Sequence, residues 1–165
     1  MLNLRLKRTH FSPTSVDQLR DVDADSWING MPAGFWYFVG QPFTRCVWSQ
    51  TSATERKWRY RVDVSACRIL LVRDAIDAHA AMLTWKLPEF PERDGDDFES
   101  LVMLKSGHPD WAKLARDFDG VELPVNARAH RPKHWHSWFD CPSGCIWNAS
   151  KLKITLIEQP ASSAE

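Results

Sequence analysis

Apolar side chains recur at every second position in separated stretches of this chain, and that period restricts the fold more than any other feature. Leu2, Leu4 and Leu6 alternate with Asn3, Arg5 and Lys7, the signature of a strand with one buried face. This strand is expected to run to about His10. "WRYRVDV", from Trp58 to Val64, alternates in the same way. "GFWYFVG", from Gly34 to Gly40, is an aromatic strand bounded by glycines, and "CRILLV", from Cys67 to Val72, is a continuous apolar run suited to a buried strand. "VEL" starts a further strand, and "GCIWN" and "LKITLIE" supply the closing ones.

Helical signals are fewer and shorter. Ser12 stands as an N-cap before Pro13, which predicts a short helix to about Arg20. Asp74 is placed to cap a helix through about Trp85, with Ala75, Ala78, Met82 and Trp85 on one face. In "HPDWAKLARDFDG", Pro109 opens a helix whose inner face is Trp111, Leu114 and Ala115, and Asp119-Gly120 ends it. Strands and helices do not alternate one for one, which argues against a doubly wound parallel sheet. The expected class is α+β: a mixed, mainly antiparallel sheet with a few short helices. One domain over residues 1–158 is expected, with a disordered tail at 159–165.

The balance of charge limits the partners. Lys plus Arg and Asp plus Glu are both 21, so the net charge is zero. A surface given over to nucleic acid would carry an excess of cations, although a local basic groove remains open. No apolar run approaches the roughly 20 residues of a membrane span, and "MLNLRLKRTH" lacks the apolar stretch of a signal peptide. Four scattered cysteines do not form a disulfide framework, so a reducing cytoplasm is expected.

The densest chemistry lies in "HWHSWFDCPSGCIWN", from His134 to Asn148. A metal knot, a pocket lining and a core strand all fit this composition. His134, His136, Cys141 and Cys145 are the right ligand types for zinc, but the His-x-His pair is tighter than structural sites use. The deaminase pairing of H-x-E with P-C-x-x-C is absent, so no metal is expected. There is no G-x-S-x-G elbow, Walker loop or GxGxxG. Cys145, within an apolar strand, reads as an inert filler. The basic loop "RAHRPKH" sets Arg128, Arg131 and Lys133 beside Trp135 and Trp138. Such a mixture can grip single-stranded nucleic acid or the diphosphate of a dinucleotide, and it can also be a solvated loop. Nine tryptophans suit either a bulky core or a stacking pocket.

Three stretches together resemble the ADP-ribosyltransferase fold, in particular its small bacterial and phage members and the branch with a His, an aromatic and a carboxylate. They are "RTHFSP", "MPAGFWYF", and "RDFDGVEL" followed by "DCPSGCIWNASKLK". Together they are also similar to the "KPxGLW … SGCIW" pattern of small phage and bacterial proteins. The resemblance implies NAD as substrate, with a macromolecule or water as acceptor. It implies that His10 grips the ribose, supported by Thr9 or Ser12, and that Trp36, after Gly34-Phe35 and beside Tyr37, stacks on nicotinamide. Arg131 of the basic loop would meet the diphosphate. The family's acid aligns with Ser143 here, which is a departure, and Asp140 is the nearest carboxylate that could replace it. Such an acid stabilises the oxocarbenium-like centre that forms as the nicotinamide–ribose bond breaks. Apart from the resemblance, a histidine at a strand end commonly bonds a nearby backbone carbonyl. Asp140 equally suits a turn cap before Pro142-Ser143-Gly144. A non-enzymatic interaction module with a Trp-rich surface and a small nucleic-acid-binding protein are the rival readings.

Overall fold

A computed structural model of the chain describes residues 6–23, 27–28, 31–40, 58–86, 109–124 and 141–159. Seven strands form one sheet: β1 (Arg8–Ser12), β4 (Phe35–Val39), β5 (Trp58–Asp63), β6 (Ile69–Leu71), β7 (Gly120–Leu123), β8 (Ser143–Ile146) and β9 (Lys153–Glu158). Their order across the sheet is β6-β7-β8-β4-β1-β5-β9, and β2 (Trp27–Ile28) pairs with β3 (Met31–Pro32) in a separate hairpin. Every neighbouring pair is antiparallel except β6 and β7. A parallel pair needs a long crossover, and two helices among the described residues, α1 (Ala75–Thr84) and α2 (Trp111–Asp117), lie within it. The class is therefore mixed α+β with a mainly antiparallel sheet. No helix among the described residues is long and apolar enough to cross a membrane.

The sheet separates two apolar clusters. On one face, Val121, Leu123 and Cys145 meet Ala78 and Ala81 of α1 and Trp111 and Leu114 of α2, with Trp147 alongside. Alanine at the buried positions of α1 lets its backbone approach the strands closely. On the other face, Tyr37, Val39, Val62 and Ile146 pack with Val64, Ala149 and Leu152, and Leu19 joins them from outside the sheet. Each large aliphatic group buried this way contributes about 1.5–3 kcal/mol. Asp74 caps α1 by accepting from the amides of Ile76 and Asp77, both at 2.9 Å.

Three local expectations need correction. The helix expected after Ser12 does not form. Ser12 Oγ accepts the Thr14 amide at 3.3 Å, the Val16 amide donates to the Tyr60 hydroxyl, and the Val22 amide donates to the Trp147 carbonyl. Long-range partners thus take the backbone groups that a helix would have used, and residues 13–23 run without regular structure across the sheet. Pro109 does not occupy the first turn of α2; it bridges to Lys86, and Asp110 is the cap, accepting from the Lys113 amide. "CRILLV" is an edge strand of three half-buried residues rather than a strand covered on both faces.

Candidate functional site

His10 occupies the point where β1 changes partners. Its ladder with β4 is registered only at Arg8–Val39 and Thr9–Phe38, while its ladder with β5 covers Thr9 to Ser12. Just beyond the β4 pairs, His10 Nδ1 lies 2.6 Å from the Trp36 carbonyl oxygen. A carbonyl only accepts, so Nδ1 carries the hydrogen, and in the neutral ring Nε2 holds the lone pair. Phe35 stacks against the imidazole at 4.2 Å between centroids, and Tyr60 stands at 6.3 Å. Burial pushes the ring below its usual pKa of 6.5, and the bond to Trp36 offsets this only in part. His10 is therefore neutral at pH 7 and fixed in orientation. Among the described residues Nε2 has no hydrogen-bond partner. The expected bond to a backbone carbonyl is present, but His10 stands in the middle of β1 and not at a strand end, because the ladder with β5 carries the strand on to Ser12.

The other residues that the sequence associates with His10 divide between the two faces. Neighbours along a strand project to opposite sides. The Trp36 indole, in register with Cys145, packs toward the helices, whereas the His10 ring lies against Phe35 on the far face. His10 and Trp36 thus meet through a backbone carbonyl and do not line one hollow. Thr9 also projects to the helix side and is buried. Ser143, opposite Phe38 and Leu123, lies on that side too, and its Oγ donates to the Cys141 carbonyl at 2.9 Å. Ser12 shares the His10 face, with its hydroxyl in the local turn. Gly34 is required for packing: a Cβ there would stand 2.6 Å from the Ile146 carbonyl oxygen and 2.7 Å from Cys145 Sγ. Asp140, Arg131, His134, His136, the rest of the basic loop and residues 160–165 lie outside the described residues. Cys145 is fully buried against the helices, and burial pushes its thiol well above the ordinary value, as an inert filler requires.

Tyr37 belongs to a buried polar network absent from the sequence reading. Glu122, 0% exposed, receives Arg8 in a two-pronged ion pair, Nε at 2.7 Å and Nη2 at 2.9 Å, and the Tyr37 hydroxyl at 2.8 Å. The three groups reach across β1, β4 and β7 on the His10 face. The Tyr37 ring passes over β8 at Gly144, where any Cβ would strike it. Burial, then the Glu122 charge, holds the Tyr37 phenol well above its ordinary pKa. Burial opposes the Arg8 charge, but the bonds to Glu122 prevail and raise its pKa. With both carboxylate oxygens engaged and no exposure, this triad positions strands and offers nothing to a ligand. The available signal was a charge at an inward register: Arg8 continues the even-numbered series of Leu2, Leu4 and Leu6, and Glu122 interrupts "GVEL".

Asp119 forms a second hub. Its carboxylate accepts from Lys151 Nζ at 2.7 Å, Asn148 Nδ2 at 2.6 Å and the Arg68 amide at 2.8 Å. Its carbonyl accepts from the Trp147 amide. Burial would raise the acid's pKa, but the bonds from Lys151, Arg68 and Asn148 outweigh it and hold the pKa below the ordinary carboxylate value. It locks the start of β7 to the turn after β8.

Compared with known proteins, the chain matches no family model, no curated protein and no solved structure.

Proposed function

We propose that this chain binds NAD through His10 and cleaves it, passing ADP-ribose to a macromolecule or to water. One observation carries the reading: His10 is held neutral and oriented by the Trp36 carbonyl and by Phe35, with Nε2 left to accept a hydrogen bond. A ribose hydroxyl is the group such a nitrogen recognises, and the resemblance of "RTHFSP" and "MPAGFWYF" assigns that role to this histidine. The arrangement narrows the reading, because Trp36 faces the helices and is removed from the nicotinamide-stacking role. Breaking the C1′–nitrogen bond releases neutral nicotinamide and leaves positive charge on the ribose. A carboxylate must balance that charge, and Asp140 is the residue proposed for it. With water as acceptor, the products are nicotinamide, ADP-ribose and a proton.

Incubation of the full chain with NAD, with free nicotinamide as readout, tests this. Turnover is expected for the wild type, with a loss of at least about a hundredfold in Asp140→Ala, the scale of one electrostatic stabiliser. His10→Gln is expected to raise KM more than it lowers kcat. Absence of both nicotinamide release and NAD-induced tryptophan quenching would refute the reading.

A further inference from the structure

The registered pairs between β1 and β5 stop at Thr9–Arg61. Past them, the chain before Thr9 and the chain after Arg61 border a half-open cavity of about 610 Å³, a size suited to a small organic ligand. Its lining is uneven in charge. Among the described residues Lys7, Arg8, Arg59 and Arg61 contribute four cations, of which Arg8 is held by Glu122, against the single carboxylate of Asp63. Among the described residues, neither the Lys7 ammonium nor the Arg61 guanidinium meets a carboxylate. Asp63 is already engaged, accepting the Ser65 amide at 2.9 Å. Arg59 is only partly used: Nη1 stands 3.6 Å from Glu158, the guanidinium lies 5.8 Å from the Phe11 ring centroid, and Nε is buried without a hydrogen-bond partner. A buried donor without a partner is rare in folded proteins. Ile157 of β9 adds an apolar wall.

From this combination we infer that the β1–β5 cavity binds a small organic phosphate of about nucleotide size. Phosphate oxygens answer the surplus of cations, and the guanidinium forks of Arg59 and Arg61 suit them geometrically. The apolar wall calls for a carbon body behind the phosphate, which separates this ligand from free inorganic phosphate. The zero net charge of the chain favours a small molecule over a polynucleotide, which would need a long cationic track. The cavity is distinct from His10: the side chains of Thr9, Arg59 and Arg61 project to the helix side of the sheet, and the His10 ring to the other.

Calorimetric titration of the full chain with AMP, inorganic phosphate and a single-stranded oligonucleotide tests the inference, with folding of each variant checked by thermal melting. AMP is expected to bind at least about tenfold more tightly than inorganic phosphate, a difference readily resolved. The double substitution Lys7→Gln/Arg61→Gln is expected to weaken AMP at least about tenfold, and Arg61→Lys, which keeps the charge but loses the fork, to weaken it less than the double substitution. Equal binding of inorganic phosphate, preference for the oligonucleotide, or no AMP binding at millimolar concentration would overturn it. So would AMP binding that survives the double substitution but disappears in His10→Gln, a result that would leave the ribose-binding role of His10 standing.

Discussion

The two halves of the sheet treat their polar groups in opposite ways. In the β7–β8–β4 half, every residue of β7 and β8 is buried, and the charges there consume one another: Glu122 takes Arg8 and Tyr37 until no oxygen is left. In the β1–β5–β9 half, β5 alternates between buried and exposed toward its end, and β9 is exposed along nearly its whole length. Here His10 Nε2 and the cations of Lys7 and Arg61 have no partner among the described residues. Low dielectric makes an unpaired group expensive in the closed half, and among the described residues no buried side-chain donor or acceptor there lacks a partner. Solvent makes the same condition tolerable in the open half, and that is where ligand recognition can reside.

Substitutions should separate the halves by the size of their effects. The largest is expected from Glu122→Ala, which strands the Arg8 charge and the Tyr37 hydroxyl and should cost about 3–5 kcal/mol in urea unfolding. The triple replacement Arg8→Met, Tyr37→Phe and Glu122→Leu should recover most of that loss. If it does not, the network does more than satisfy itself. Gly144→Ala forces the Tyr37 ring aside and should cost about 1–3 kcal/mol.

Asp119 gives a pH test in the closed half. Its folded pKa is depressed, so its contribution is complete above the unfolded value of about 3.9 and is lost as pH falls through the lower folded one. Asp119→Asn should remove that acid-limb component from a series of unfolding curves. His10 gives a smaller test in the open half. The unfolded chain takes up its proton near pH 6.5 and the folded chain only at lower pH. Its contribution is therefore complete above about 6.5 and fades as pH falls through the folded value, and His10→Gln should lack this component. Smallest of all, Lys7→Gln and Arg61→Gln should each shift stability by no more than about 0.5 kcal/mol, since both side chains are exposed.

Local patterns in the sequence located most elements but not what joins them. The alternation in "WRYRVDV", the glycine-bounded "GFWYFVG" and the Asp74 cap each reappear as β5, β4 and α1, because period and capping act over a few residues. The helix after Ser12 was signalled just as clearly, yet Tyr60 and Trp147 outcompeted it from far along the chain. Convergence in space depends on register, which single strands do not encode. For that reason the pairing of Arg8 with Glu122, 114 positions apart, was illegible, and His10 and Trp36, joined in the sequence reading, fall on opposite faces.

The imidazole of His10 is where the open half is most directly read. Nitrogen-resolved NMR of His10, recorded against pH with and without NAD, should show the hydrogen on Nδ1, a pKa below 6.5, and an Nε2 resonance that moves when NAD is added. A hydrogen on Nε2, or an Nε2 resonance indifferent to NAD, would contradict the account.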